Sequence, residues 1–271
     1  MINLIKELIN KVLKNIGNYE IRKIIPDEFK DLKKRDLKLA YRFINFSEIT
    51  KDNNTLEEYK NFYNFCISNN KNTSSQSYQD LFVIWKLRNK SKGFFVEFGA
   101  DNGILNSNSY LLEKQFSWEG ILVEANPLIN SDLKKNRACK IRNYAMTNRS
   151  NEVINFEIRK DRQHSRILKN KNNKCKNSKI IQVTTITLND LLEKYKIKRG
   201  FELLSIDIEG NELDVLKGFD IKYWKPKIII IEHNYENDKM RKITQIFEEK
   251  GYKKELELFS FHDFWFTNFS S

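Results

Sequence analysis

The chain has 271 residues, of which 40% are apolar and 31% charged, and its 19 Phe and 11 Tyr exclude a disordered or collagen-like chain. Its 48 Lys and Arg against 36 Asp and Glu leave a net charge of +12, which favours an anionic partner or simply reflects a lysine-rich composition. Three cysteines without CxxC spacing exclude a disulfide framework and a zinc finger. No apolar run reaches the roughly 18 residues of a membrane span, and no signal-peptide cleavage pattern is visible, so a cytoplasmic setting is expected.

Residues 1–75 are predicted to be a helical N-terminal extension. Ile2, Ile5, Ile9, Val12, Leu13 and Ile16 recur at helical spacing with Lys6, Lys11 and Lys14 among them. Such a helix can rest on the inner face of a membrane, or pack on its own domain or on a twin subunit in a homodimer. The polar stretch Asn69–Ser77 marks a linker, and 76–271 form the second domain, opening with a helix over Tyr78–Arg88.

An alternation of strands and helices follows. Strands are predicted at 94–98, 120–124, 139–144, 201–207 and 227–232, with helices over Asn106–Phe116, around Leu188–Leu192 and around Leu213–Phe219. Continuous apolar runs such as Ile228–Ile231 belong to parallel sheets covered on both faces. Val153–Ile158 and Ile180–Thr185 are further β-like runs flanking a basic excursion, 159–179. Tyr252–Leu258 and Phe264–Thr267 complete the sheet as an antiparallel hairpin. The expected class is α/β, a Rossmann-like and mostly parallel sheet.

Ligands of such sheets sit beyond the carboxyl ends of the strands. Glu97, Glu124 and Asp207 fall at those ends. Glu124, 21 residues after Gly103, suits a ribose diol, because a carboxylate accepts two hydrogen bonds at once; capping the helix after Asn126-Pro127 is the alternative. Asp101, between Gly99 and Gly103, would repel a pyrophosphate but can accept from the ammonium of an amino-acid ligand. That favours S-adenosylmethionine over a dinucleotide.

The segments FVEFGADNG, ILVEANP, NYAM, TITLNDLL, LLSIDIEGNELDVLKGF and PKIIIIEHN, in this order, resemble the FkbM-type S-adenosylmethionine-dependent methyltransferases. The resemblance implies a class I methyltransferase fold and, usually, O-methylation of sugars or other hydroxyls. It places Glu97, Gly99, Asp101 and Gly103 in the cofactor loop, Asn108 near the donor, and Glu124 with Asn126 at the ribose. Asn143, Ala145 and Met146 fall where adenine is held, and Asp207, Glu209 and Gly210 form the hallmark turn after the fourth strand. The family loop carries small or amide residues where this chain has Asp101.

Methyl transfer to a hydroxyl needs alignment and a proton acceptor. Asp207 is placed for that role, and His233, at the end of the fifth strand, is a second candidate because its ordinary pKa of about 6.5 suits a base; a structural histidine is the alternative. Glu209 and, from the excursion, His164 and Arg166 are candidate substrate contacts, with Arg159 and Arg162 beside them able to engage an anionic acceptor. Glu209 could instead cap the helix near Asn211. Asp207, Glu232 and His233 could ligate a divalent metal. The leading expectation is an O-methyltransferase of a carbohydrate-type hydroxyl, with no nucleic-acid partner. The rivals are a nucleic-acid methyltransferase, for which the target-base motifs are missing, and a noncatalytic module retaining the pocket.

Overall fold

The computed structural model describes residues 34–169 and 174–269. The chain divides into two compact units, 1–73 and 74–271. In the first, helices α1 (Lys34–Ile49) and α2 (Asn53–Asn69) run antiparallel, because Phe43 stacks on Tyr63 (4.8 Å) while Phe46 meets Tyr59 (4.5 Å). Asp52 caps α2 by accepting from the Asn54 N–H. The amphipathic 1–16 segment lies outside the described residues.

The second unit opens with α3 (Gln79–Lys86) and then builds its larger sheet from β1 (Phe94–Phe98), β2 (Glu119–Val123), β3 (Lys140–Arg142), β8 (Leu203–Ile206), β9 (Ile228–Glu232), β10 (Lys253–Glu255) and β11 (Asp263–Thr267). The order is β10-β11-β9-β8-β1-β2-β3. The five central and edge strands from β3 to β9 are parallel, and β11 and β10 return antiparallel as the predicted hairpin. From β1 the chain steps to β2 on one side and later to β8 on the other, so the switch point lies at the end of β1. β8 and β9 are buried along their whole length, as their unbroken apolar sequences require.

Around this sheet lie α4 (Tyr110–Phe116), α5 (Asn130–Asn136), α6 (Leu188–Lys194), α7 (Glu212–Lys217), α8 (Ile221–Trp224) and α9 (Asn237–Glu248). Leu191, Leu192, Val215, Ile243 and Phe247 from the helices close over Val96, Ile121, Leu204 and Ile229 of the strands. A second, four-stranded sheet holds β4 (Ala145–Met146), β7 (Lys179–Ile186), β5 (Val153–Ile158) and β6 (Arg166–Ile167) in that order. The two β-like runs predicted to flank the basic excursion, β5 and β7, pair antiparallel, and among the excursion's described residues lie a 3-10 turn, Arg162–His164, and the short strand β6.

Three boundaries differ from the sequence expectation. Residues 106–109 are loop, with Asn106 at φ +59°, and α4 starts only at Tyr110. Glu124 and Asp207 lie just past their strands rather than inside them. The end of the expected linker is firmly seated: Ser75 and Ser77 are buried, Ser75 bridges Asn106, and its hydroxyl donates to Asp80 at 2.6 Å.

Candidate functional site

Strand register brings the strand-end residues into one row. Phe98 is level with Val123 and Ile206, and Ile206 with Ile231. The next residues, Gly99, Glu124, Asp207 and Glu232, therefore share a layer at the carboxyl edge, and Glu232 is level with Asp263 of β11. Adjacent strands are about 4.8 Å apart, so four carboxyl-bearing residues occupy neighbouring positions and only β1 contributes a glycine.

That glycine is required by space. A Cβ on Gly99 would stand 1.8 Å from the Asp207 carbonyl oxygen, and its φ is +78°. The backbones leaving β1 and β8 touch here, forming the floor of a cleft lined by Gly99, Asp101, Asn108, Glu124, Ala145, Met146, Asp207, Glu209, Glu232 and His164. These ten predicted site residues converge from segments spread over the sequence. Gln76, Gln79, Tyr144, Arg162, Gln163, Asn234 and His262 line the same cleft; Tyr144 and Asn234 lie inside the NYAM and PKIIIIEHN segments with no role assigned, Arg162 was considered as an anion contact, and the other four carried no motif.

Glu124 is 8% exposed; its carboxylate accepts from Asp101 N at 3.0 Å and Asn126 N at 2.8 Å. It thereby ties the glycine loop to the end of β2, and with two acceptor sites used its remaining lone pairs stay open to the cleft. Burial raises its pKa to about 7 against the opposing pull of those backbone bonds. Asn108 sits on the opposite side of the floor. Its amide nitrogen donates to Ser205 Oγ at 2.9 Å, whereas its buried Oδ1 has no partner.

The remaining predicted residues stand behind the cleft wall. Glu97 gathers the 107–109 loop, accepting from Asn108 N at 2.7 Å, Ser107 Oγ at 3.0 Å and the Ser109 hydroxyl. Gly103 makes room for α5, since a Cβ there would meet Arg137 Cγ at 2.7 Å and Leu133 Cδ2 at 2.9 Å. Arg137 in turn donates to the Gly103 carbonyl and pairs with Glu113 at 2.8 Å. Asn126 caps the Pro127–Ile129 turn, and Asn143 donates to the Glu124 carbonyl at 3.0 Å. Glu97, Asn126 and Asn143 hold residues that line the cleft without facing it themselves, whereas Gly103 packs on Arg137 and Leu133.

His233 is corrected as a proton acceptor. Its Nε2 is 3.1 Å from the Asp263 carbonyl and its Nδ1 accepts from Tyr235 N at 2.9 Å, so both ring nitrogens serve the backbone. Burial lowers its pKa to about 4. The same bonds occupy both of the nitrogens that the expected metal set would need, whereas one oxygen each of Asp207, Glu209 and Glu232 lies within 4.8 Å of the others. Burial, then the Glu232 charge, pushes Asp207 well above the ordinary carboxylate value. Glu232 rises to about 8 through burial and the neighbouring Glu209 and Glu212, and Asp263 to about 7 through burial. The nearby ammonium of Lys239 is committed to Glu212 at 2.6 Å.

The hallmark turn is braced from within. Glu212, fully buried, accepts from Ile208 N at 3.2 Å and Gly210 N at 3.0 Å, and the N-cap position of α7 is Asn211 with no side-chain cap bond, so the cap considered for Glu209 is not formed. Glu209 itself is left-handed at φ +57° and meets His164 Nδ1 at 3.1 Å. The excursion tip thus reaches the turn after β8. Its arginines meet protein acids: Arg159 and Arg166 contact Glu157 at 3.2 and 3.3 Å, and Arg162 lies 3.8 Å from Asp101. Arg166 is consequently a buttress of Glu157 and does not line the cleft.

Residues 97–254 match the Methyltransferase FkbM domain. Over 80 residues the chain is 34% identical to methyltransferase sdnD of Sordaria araneosa, a match covering 27% of this chain and 31% of that protein, so it spans under one third of that relative's length. Among solved structures it is similar to a methyltransferase FkbM from Methylobacillus flagellatus, with TM-score 0.47 and 12% identity over 97% of this chain and 58% of the other. It is also similar to a precorrin-6y C5,15-methyltransferase from Geobacter metallireducens, with TM-score 0.38 and 15% identity over 65% and 72% of the two chains. With the domain match extending over more than half its length, the chain belongs to the FkbM methyltransferase family.

Proposed function

We propose that the protein is an S-adenosylmethionine-dependent O-methyltransferase whose acceptor is a hydroxyl of a sugar or glycan intermediate. The observation that carries this reading is the level row Gly99–Glu124–Asp207 at the switch point. Gly99 removes side-chain bulk where a ligand crosses β1, Glu124 offers unused lone pairs for a ribose diol, and the unpartnered Asn108 Oδ1 can accept a further hydrogen bond. Ala145 and Met146 supply an apolar flank for a flat base. The residues present fit the donor.

When bound, S-adenosylmethionine supplies an electrophilic methyl group on its sulfonium. The chain's part is to orient the acceptor in line with that carbon and to receive the hydroxyl proton. Asp207 is the residue in the cleft suited to this, since burial and the Glu232 charge raise its affinity for a proton. His164 and Glu209, paired across the mouth, are the nearest contacts for the acceptor.

Calorimetry with the demethylated product, S-adenosylhomocysteine, tests the reading. Wild type should bind it, and Glu124→Ala should weaken binding at least tenfold, about 1.4 kcal/mol, with a cooperative melting transition retained. Equal affinity in a folded variant would remove Glu124 from the ribose. Mass spectrometry of glycans from cells with and without the protein should reveal a one-methyl difference.

A further inference from the structure

We propose that Asp207, Glu209 and Glu232 together bind one divalent cation at the floor of the cleft. Each offers a carboxylate oxygen, and the three oxygens lie within 4.8 Å of one another. Oxygens that share a Mg²⁺ or Ca²⁺ ion are separated by at most about 4 to 5 Å, twice the metal–oxygen distance. A spread of 4.8 Å falls inside the Ca²⁺ limit of about 5 Å and somewhat beyond the roughly 4.2 Å of Mg²⁺.

Proximity of acids is not the whole case. Glu232 is 7% exposed and its Oε2 has no hydrogen-bond partner, although it lines the cleft beside Asp207. A buried carboxyl oxygen left without a partner costs about 1 to 3 kcal/mol, and proteins seldom keep one unless something fills the position. Neither Asp207 nor Glu232 has a basic side chain within 4 Å among the described residues. Lys239, the ammonium closest to hand, lies 2.6 Å from Glu212 and only its field reaches Glu232. Glu209 contacts His164 through Oε1, which uses one of the several lone pairs of a carboxylate.

The scaffold holds the three oxygens in place. Asp207 and Glu232 occupy the same layer of adjacent strands, and Glu209 is turned back toward them by its left-handed backbone, which Glu212 braces through Ile208 N and Gly210 N. An all-oxygen set of hard ligands selects Mg²⁺, Mn²⁺ or Ca²⁺ over zinc or copper. Three protein oxygens leave about three positions of a six-coordinate ion open to the cleft. An acceptor with two adjacent hydroxyls could fill two of them, and the cation would then lower the pKa of the hydroxyl to be methylated. The ligand assignment stands on geometry alone; the part in transfer rests on the methyltransferase reading above.

Titration of the full chain, freed of metal by chelation, with MgCl₂, MnCl₂ and CaCl₂ separately tests this. At least one ion should bind with unit stoichiometry and raise the melting temperature. Glu232→Gln and Glu209→Gln should each weaken binding tenfold or more, and Asp161→Asn, an acid outside the set, should leave it unchanged. If a variant melts below wild type in chelator, bound Mn²⁺ counted by electron paramagnetic resonance at low temperature gives the same comparison on folded protein. No binding by any of the three ions at millimolar concentration, or equal binding by both glutamine variants, would overturn the proposal. S-adenosylhomocysteine is titrated into the same samples. Product binding without metal binding would sink the cation site alone, and metal binding without product binding would sink the donor reading alone.

Discussion

Glu124 and Glu157 are both enclosed glutamates of the same unit, and their acidities are driven in opposite directions. Glu124, at the end of β2, is pushed to about 7, whereas Glu157, in β5 of the second sheet, is held near 2. Burial acts upward on both. Glu157 overcomes it because Ser178 Oγ (2.7 Å), Cys175 N (2.6 Å), Arg159 and Arg166 all direct donors or positive charge at its oxygens. Glu124 has two backbone donors and an acidic neighbour, Asp101. The contrast separates structural from ligand-ready carboxylates: the excursion saturates its acid, and the cleft leaves its acids short of partners. A protein with a net charge of +12 has therefore set Arg159 and Arg166 against Glu157, whereas no basic side chain among the described residues pairs with Glu124, Asp207 or Glu232.

The largest test of the contrast is Gly99→Ala. Its Cβ would collide with the Asp207 carbonyl, which can yield only if the ends of β1 and β8 move apart. S-adenosylhomocysteine affinity should fall at least about 100-fold, or the melting temperature should drop by several degrees. The β5–β7 layer should be untouched, as hydrogen exchange of 153–158 would show. Wild-type affinity and melting in this variant would mean the strand-end contact is not structural.

Glu157→Ala comes next. It strands two arginines and two donors, and should cost about 3 kcal/mol in urea unfolding at neutral pH. It should also erase the acid arm of the stability profile. Because the folded pKa lies below the ordinary 4.5, wild-type stability from this group is complete above pH 4.5 and is lost as pH falls toward about 2. An unchanged acid arm in the variant would show that the four contacts do not set that pKa.

The smallest effect belongs to Glu124, and its sign is reversed. A folded pKa raised from 4.5 to about 7 makes the stability contribution complete below pH 4.5 and lost as pH rises through 7. Glu124→Gln should flatten this alkaline arm by roughly 2.5 kcal/mol between pH 5 and 8. Parallel profiles for variant and wild type would contradict the assigned shift.

Much of the cleft was legible because acids that terminate apolar strands stand out against their neighbours. Gly99, Glu124 and Asp207 were recognisable for that reason. Glu97 and Gly103 belong to the same motif, yet they face the 107–109 loop and α5. Motif membership does not encode side-chain direction. His233 drew attention as a histidine at a strand end, and only the positions of Asp263 and Tyr235 show that its nitrogens are occupied. Gln76, Gln79 and Gln163 were invisible because an isolated polar residue carries no periodic signal, and Tyr144 and Asn234 lay inside NYAM and PKIIIIEHN, segments that do not reveal which side chains face the cleft.

By itself the sequence determined the kinds of elements, their order, the antiparallel finish and the acids at the strand ends. These follow from apolar periodicity and run length, which are local along the chain. The tertiary structure decided which acids share a layer, since that depends on register between strands far apart in sequence, such as β1 with β8. Sheet side chains alternate with a period of two, so a one-residue change in register would turn each to the other face. It also decided that the basic excursion neutralises itself on Glu157 while Asp207, Glu209 and Glu232 converge without a lysine or arginine between them.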